Sequence, residues 1–372
     1  MLSTLKKILN SIALIPSVLA LCFMLIAILQ IGIAIPVPED SMLSGLVITE
    51  KADVQFILAF IIGGIFTLTI FSYTMVMNVL NRNISNYSPR LIPLLLAEKH
   101  HQLVLGFSSG TIIYALILAI PIASSHTDSF PKLAASLGVF FAIICVFLFI
   151  YFIHTVSQSI HINYVLSQVF IRTEKNMLKQ HKTHEDFRIP AGDAPYKNRF
   201  SLGKAGYLHQ PEFDKLLTFC QKETIELCLL PFPGQFINRE KVLFTYKGDL
   251  SREILQQLSE YFAVDHEVPL SVPETGFKHL VEVAVKAMSP AINDPGTAKS
   301  ALDYFAQLLE LRNAYPYYAY DTLKISQEVT RSLVSQQKLL KYCFTELEPY
   351  LKDDPLLMDY LQHIKHRNDL AE

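Results

Sequence analysis

Residues 54–80 read VQFILAFIIGGIFTLTIFSYTMVMNVL, without one Asp, Glu, Lys or Arg. A helix needs roughly 20 apolar residues to cross the hydrocarbon core of a bilayer, and this stretch is longer than that. A charge at the bilayer centre costs at least ~2.5–3.5 kcal/mol on insertion scales, so an uncharged run of this length is informative. Three further stretches share the property: Ile12 to Ile35, Leu103 to Ala123 and Leu133 to Thr155. The first follows Lys6 and Lys7, as a signal peptide would. Its run is well beyond the ~7–15 residues of a secretory apolar region and no clean Ala-x-Ala site follows, so it reads as an uncleaved span.

The composition agrees. Charged residues are 18% of the chain and mean hydropathy is +0.30, against about 25% charged in soluble proteins. Charge is concentrated after residue 170, which separates a membrane half from a soluble half. The net charge of -2 provides no field for nucleic acid, and no basic stripe with interleaved aromatics exists. Cys22, Cys145, Cys220, Cys228 and Cys343 show no C-x-x-C spacing. Such a scatter argues against a disulfide framework or a zinc site, so no metal and no cofactor is expected. With Trp absent, Tyr and Phe must supply interfacial anchors.

Orientation follows from Lys and Arg in the short loops. Basic ends carry Lys6 and Lys7, then Arg82, Arg90 and Lys99, then Arg172, Lys175, Lys179 and Lys182. The intervening loops carry Glu39, Asp40, Glu50 and Asp53 against Lys51, and then Lys132 alone. The N-terminus, the second loop and the C-terminal half are expected to be cytoplasmic. This topology brings one polar set to the cytoplasmic mouth of the bundle: Arg90, His100, His101, Gln102, His154, Gln158 and His161, with Asn81, Asn83 and Ser157 beside them. On a continuous helix His154 and His161, seven apart, share a face. Two readings stand. The set forms a vestibule for an ion or small solute, or it marks where helices leave lipid. Adjacent histidines point to different faces, which weakens a metal site. Arg90, in Tyr87-Ser88-Pro89-Arg90, either binds lipid phosphate or pairs with the soluble half, in a loop expected to lie in the interface. Gly63-Gly64 and Gly106-x-x-x-Gly110 allow close helix approach, within a bundle or between subunits.

In the soluble half, the fourth span is expected to continue into a helix over 160–182, with a linker rich in Pro and Gly after it. Short strands fall at Gly206-Tyr207-Leu208, Thr224–Leu230 and Lys241–Tyr246, and helices at Pro211–Cys220 and Ser251–Phe262. Phe277–Ser289 is helical and stops at Ser289-Pro290-Ala291-Ile292-Asn293-Asp294-Pro295. Pro290 cannot continue a helix. Asp294 caps the next helix, over Gly296–Asn313, with Pro295 at its first position. Ser289, Asn293 and Asp294 either serve this corner alone or face a ligand or partner. Thr322–Leu347 reads as one long helix closed by Pro349, and Asp354–Arg367 as a last one. The expected architecture is therefore a membrane protein: a four-helix transmembrane domain over 1–160, a helical extension and linker over 161–197, a small α+β, β-barrel-like module over 198–269 and a C-terminal helical domain over 270–372.

The run Ala287-Met288-Ser289-Pro290-Ala291-Ile292-Asn293-Asp294-Pro295-Gly296-Thr297-Ala298 resembles a bacterial family of predicted inner-membrane proteins known only as a domain of unknown function. The family pattern is Leu-Ser-Pro-Gly-Ile-Asn-Asp-Pro followed by x-Thr-Ala. Tyr87-Ser88-Pro89-Arg90, the segment Gln102 to Gly106, and Phe152-Ile153-His154 with Ile160 match as well. Ala291 departs from the usual Gly, which puts a positive-φ turn at that position in doubt. The resemblance implies a multi-pass protein of the bacterial inner membrane and no particular activity.

Three functions are weighed. One is an oligomeric channel-like or transport-related protein regulated by its cytoplasmic domain, with Thr67, Thr69, Ser72 and Thr74 as pore-lining candidates. The second is a membrane-anchored scaffold or sensor whose cytoplasmic domain binds a protein or small ligand. An enzyme is third: Ser289, Asp294 and His279 are the nearest thing to a hydrolytic set. No G-x-S-x-G elbow, H-E-x-x-H helix, phosphate-binding loop or G-x-G-x-x-G is present. The expected partners are the lipid bilayer, a second copy of the chain, and an ion, small solute or protein.

Overall fold

A computed structural model describes residues 13–32, 50–86, 99–124, 132–159, 161–183, 187–188 and 196–369. Chain contacts divide it into a helical unit that ends at His161 and a mixed unit that resumes at Ile162.

The helical unit contains α1 (Leu14–Gly32), α2 (Lys51–Asn86), α3 (Lys99–Ser124) and α4 (Lys132–Ser159). All four are long and apolar enough to cross a membrane. Their outward faces carry large apolar side chains: Phe56 is 65% exposed, Phe60 67%, Ile120 68% and Phe147 67%. Soluble surfaces rarely present such a continuous apolar skin, and hydrocarbon tolerates it. The bundle centre is apolar too, built from Phe23, Leu58, Tyr114, Leu118 and Cys145. Its polar groups are consumed locally. The Tyr114 hydroxyl donates to the Ala134 carbonyl at 2.7 Å. Gly106 and Gly110 belong to the α1–α3 contact. A Cβ on Gly106 would lie 2.8 Å from the Pro16 Cα, and one on Gly110 2.8 Å from the Phe23 ring. The G-x-x-x-G pair therefore serves packing within the chain. Gly63 and Gly64 meet nothing within 4 Å.

The helix expected to run on from the fourth span is two helices. α4 ends at Ser159 and α5 occupies Ile162–Thr183, with His161 outside both. In the mixed unit β1 (Asn198–Ser201), β3 (Leu227–Leu229), β5 (Val242–Tyr246), β7 (Thr322–Lys324) and β8 (Val329–Ser332) form a sheet in the order β1-β5-β3-β8-β7. Only the β3–β8 pair in it is parallel. A second, antiparallel sheet has the order β4-β2-β6, from β2 (Gly206–Leu208), β4 (Phe236–Ile237) and β6 (Val264–Asp265). Helices α6 (Phe213–Glu223) and α7 (Arg252–Glu260) contribute Phe213, Leu216, Cys220 and Leu258 to the core shared with Leu227 and Phe244. Neither sheet closes into a barrel, and the larger one draws two strands from beyond residue 269.

Helices α8 (Pro273–Ala287), α9 (Pro295–Asn313), α10 (Gln336–Leu351) and α11 (Pro355–Asp369) pack with α5 as a helical layer, and a single 3-10 turn, Pro316–Ala319, follows α9. Ring contacts Phe277–Phe305 and Phe305–Phe344 run through this layer. The single helix expected over Thr322–Leu347 is replaced by the β7–β8 hairpin and α10. The burial pattern has a period of two: Leu323, Ile325, Val329, Arg331 and Leu333 are buried, the signature of a strand rather than a helix. Ser335 then caps α10 by accepting from the Lys338 amide. Pro349 does not close α10, which continues to Leu351.

Candidate functional site

The residues expected at a cytoplasmic mouth assemble only in part. The start of α3 and the end of α4 lie side by side: the Tyr151 hydroxyl and His100 Nδ1 are 3.2 Å apart, and the His101 ring sits edge-on to Phe152 at 5.5 Å. Gln102 is buried at 7% exposure. Gln158 Nε2 and His154 Nε2 are 3.2 Å apart. His161 does not extend that face, because α4 has ended; its amide donates to the Gln158 carbonyl at 3.0 Å. Arg90, with Ser88 and Pro89, lies outside the described residues. Among these residues Val104, Phe152 and Val156 pack with Met75, Val76 and Val79. Among the described residues no group of His, Cys, Asp and Glu is arranged to hold a metal ion. The four pore-lining candidates on α2 each donate to a carbonyl four residues back: Thr67 to Gly63, Thr69 to Ile65, Ser72 to Leu68 and Thr74 to Ile70.

The motif segment forms the corner between α8 and α9. The Ser289 hydroxyl donates to the Lys286 carbonyl at 2.7 Å, and the Asp294 amide donates to the Ala287 carbonyl at 2.8 Å. Asp294 caps α9, accepting from the Thr297 amide at 3.0 Å and the Thr297 hydroxyl at 2.6 Å. Pro295 follows at the first helical position. The positive φ falls at Asn293, +46°, and not at Ala291, a position Asn tolerates better than most residues. This explains how Ala replaces Gly in the run. Pro290, Ala291 and Asn293 are exposed, and Ile292 is 38% exposed. His279 lies ten residues before Ser289, roughly 15 Å along a helix, and is buried. With Ser289 and Asp294 otherwise engaged, the three do not form a hydrolytic set.

Hydrogen bonds from Thr297 hold the Asp294 carboxyl below its ordinary range. For a depressed carboxyl the stabilisation is present above the unfolded pKa and lost as pH falls through the folded one. Asp294→Ala is expected to cost about 1 kcal/mol near neutral pH. Asp294→Asn should retain most of the cap. The gap between wild type and Asp294→Ala in urea midpoints should close in acid.

A third feature was not visible in the sequence. The end of α9, the 3-10 turn, α10 and α11 enclose a cleft of about 690 Å³. This lies within the ~300–1,000 Å³ typical of small-molecule sites. Arg312 forms part of its wall and has no exposed surface. Its Nη1 donates to Glu274 Oε1 at 2.9 Å, and Nη2 donates to the Val334 carbonyl. Its guanidinium lies 3.5 Å from the Tyr318 ring centroid, while Nε is buried without a partner. The Tyr318 hydroxyl donates to Gln180 Oε1 on α5 at 3.1 Å. Burial pushes the Tyr318 hydroxyl well above its ordinary pKa, so it stays a donor. Gln336, also in the wall, has both amide atoms shut off from solvent with no hydrogen-bond partner. An unsatisfied buried group costs about 1–3 kcal/mol, and native proteins keep few of them. The lining comes from elements between residues 312 and 368; α10 supplies an i, i+4 stripe from Gln336 to Glu348, which in sequence reads only as one face of a helix, and the residues opposite it come from separate elements.

Fold and site together define a class: a four-span membrane protein whose mixed α+β domain holds a cleft of small-molecule size. The chain belongs to the family described as "Predicted membrane protein (DUF2254)", which matches residues 9–365. An uncharacterized protein of Mycobacterium tuberculosis (strain CDC 1551 / Oshkosh) is 25% identical over 251 residues, covering 64% of this chain and 47% of the relative. An uncharacterized protein of Mycobacterium bovis (strain ATCC BAA-935 / AF2122/97) is 24% identical with the same coverage. The chain thus spans about half the length of the curated relatives it matches. No solved structure matches it.

Proposed function

We propose that the chain is a membrane-anchored sensor: the four spans hold it in a bacterial inner membrane, and the mixed unit binds a small ligand on the cytoplasmic side. The observation that carries this is the 690 Å³ cleft, whose wall includes a fully buried arginine and an unsatisfied amide. The same wall reaches α5 through the Tyr318–Gln180 hydrogen bond. Helix α5 begins at Ile162, the residue after the helical unit ends. A ligand that shifts Tyr318 therefore acts on the helix that leads, along the chain, to the fourth span. The alternation of basic loops supports a cytoplasmic N-terminus and mixed unit. The four-span domain ends and the mixed unit begins between His161 and Ile162 in this reading.

The channel-like reading keeps one specific support, the α2 face on which Gly63 and Gly64 meet nothing and Thr67 and Thr74 are exposed. In an oligomer that face is available to a second copy or to a path between copies. Reconstitution separates the two. A sensor binds a ligand from a panel of metabolites, slows hydrogen exchange in α5 on binding, and leaves liposomes tight to ions. A channel passes ions or solute through liposomes. Absence of any saturable ligand sinks the sensor.

A further inference from the structure

We infer that the cleft binds a nucleoside monophosphate, with the base against the Gln336 end and the phosphate at Lys341. The inference rests on the sensor reading and names its ligand class. Three observations within the cleft converge. The first is charge. Lys341, Arg312, Lys365 and Glu348 line it. Arg312 is matched by Glu274 at 2.9 Å and Lys365 by Glu348 at 3.3 Å. Among the described residues Lys341 has no carboxylate partner, and it is exposed on α10. The unmatched charge is therefore positive, and the occupant should be an anion. A phosphate accepts readily from a lysine ammonium acting as a point charge.

The second observation is the Gln336 amide. Its nitrogen and oxygen both lack partners. A side-chain amide offers a donor and an acceptor side by side, the pair that matches the edge of a purine or pyrimidine. Its companions are already engaged: Asn313 Nδ2 donates to Asn368 Oδ1 at 2.9 Å. Both atoms are closed to solvent here, so a base pairs with them once the Gln336 side chain turns into the cleft, and base selection falls to that residue. The third observation is aromatic surface. Tyr318 is covered by the Arg312 guanidinium at 3.5 Å, and Tyr315 is packed on His181 at 4.7 Å. Tyr320 lines the cleft and is 36% exposed, leaving ring surface for a planar group. Stacking on such a ring tolerates any base, so discrimination falls to Gln336.

Isothermal titration of the full chain in detergent micelles tests this, with AMP, GMP, CMP and UMP, the four parent nucleosides, and inorganic phosphate as separate probes. Saturable binding of at least one monophosphate is expected, at least tenfold tighter than its nucleoside. Lys341→Gln should weaken the monophosphate at least tenfold and leave the nucleoside unchanged. Gln336→Leu should flatten the preference among bases. Circular dichroism checks that both variants fold. Equal affinity for nucleoside and monophosphate, no saturable heat with any of the four, or indifference to both substitutions overturns the inference. A companion titration with non-nucleotide metabolites, repeated on the cleft-filling variant Thr345→Trp, separates the two levels. A non-nucleotide ligand excluded by Thr345→Trp removes the nucleotide and leaves the sensor. No ligand of any class removes both.

Discussion

Replacing Arg312 with Met is expected to lower the stability of the mixed unit by about 3–5 kcal/mol, the usual result of removing one partner of a buried ion pair. The Glu274 side chain is 11% exposed and Arg312 is fully buried, so water does little to replace the lost partner. The substitution also removes the bond to the Val334 carbonyl and the stacking on Tyr318. One effect opposes the loss. Arg331, buried at 3% exposure, also feels the Glu274 charge; burial pushes its guanidinium down to about 10. With Arg312 gone, the Arg331 charge still acts with Glu274, which pulls the expected loss toward the lower end of the range. The check is urea unfolding of the full chain in micelles, followed by a tyrosine signal from the mixed unit. Arg312→Met combined with Glu274→Met should recover part of the loss, because a buried pair replaced by apolar side chains is often close to neutral. A single variant within about 0.5 kcal/mol of wild type, the range of ordinary surface changes, would refute the role assigned to the pair.

What the sequence discloses follows the range of the forces involved. The spans are legible because hydrocarbon requires every residue in a local window to be apolar. The corner at 289–295 is legible because Pro290 and the Asp294-Pro295 pair act within one turn. The β7–β8 hairpin is not. Its strands are three and four residues long, and their apolar positions fit a helical spacing when read with Leu339 and Leu340 further on. What makes them strands is the pairing of β8 with Leu227–Leu229, about a hundred residues earlier, and of β7 with β8. The shared face of His154 and His161 failed for a related reason. It assumed a helix through His161, whereas His161 lies outside both α4 and α5. The cleft is the extreme case. Gln336 and Lys341 gain meaning only from what α9 and α11 place opposite them, and no window of sequence contains that.

Gly276→Val is the second large expectation. A Cβ on Gly276 would lie 1.8 Å from Thr173 Oγ1, 2.8 Å from Thr173 Cβ and 2.9 Å from Thr173 Cγ2. These are positions no real Cβ takes, so α8 and α5 must separate. Thr173 cannot rotate away cheaply. It is 2% exposed and its hydroxyl donates to the Val169 carbonyl at 2.6 Å. The neighbouring Asn176–Leu270 bond, 2.8 Å, holds α5 to the start of the same segment. Overpacking of this kind costs about 1–3 kcal/mol, and for Val the upper end applies because its branches add to the Cβ clash. Gly276→Ala gives a finer test. Ala gains about 0.8–1 kcal/mol of helix propensity over Gly, so a net loss despite that gain measures the steric term. Thr173→Ala removes Oγ1 and Cγ2 but keeps the Cβ, so the double variant Gly276→Ala, Thr173→Ala should recover part of the stability and show a non-additive coupling. Hydrogen exchange reports the functional side: separating the helices should speed exchange over residues 173–180 of α5. That segment contains both Thr173 and Gln180, so loosening it also weakens the bond through which Tyr318 is proposed to report an occupied cleft. Additive substitutions with unchanged exchange would mean that α5 holds its place without α8, and the link between cleft and span would then rest on Gln180 alone.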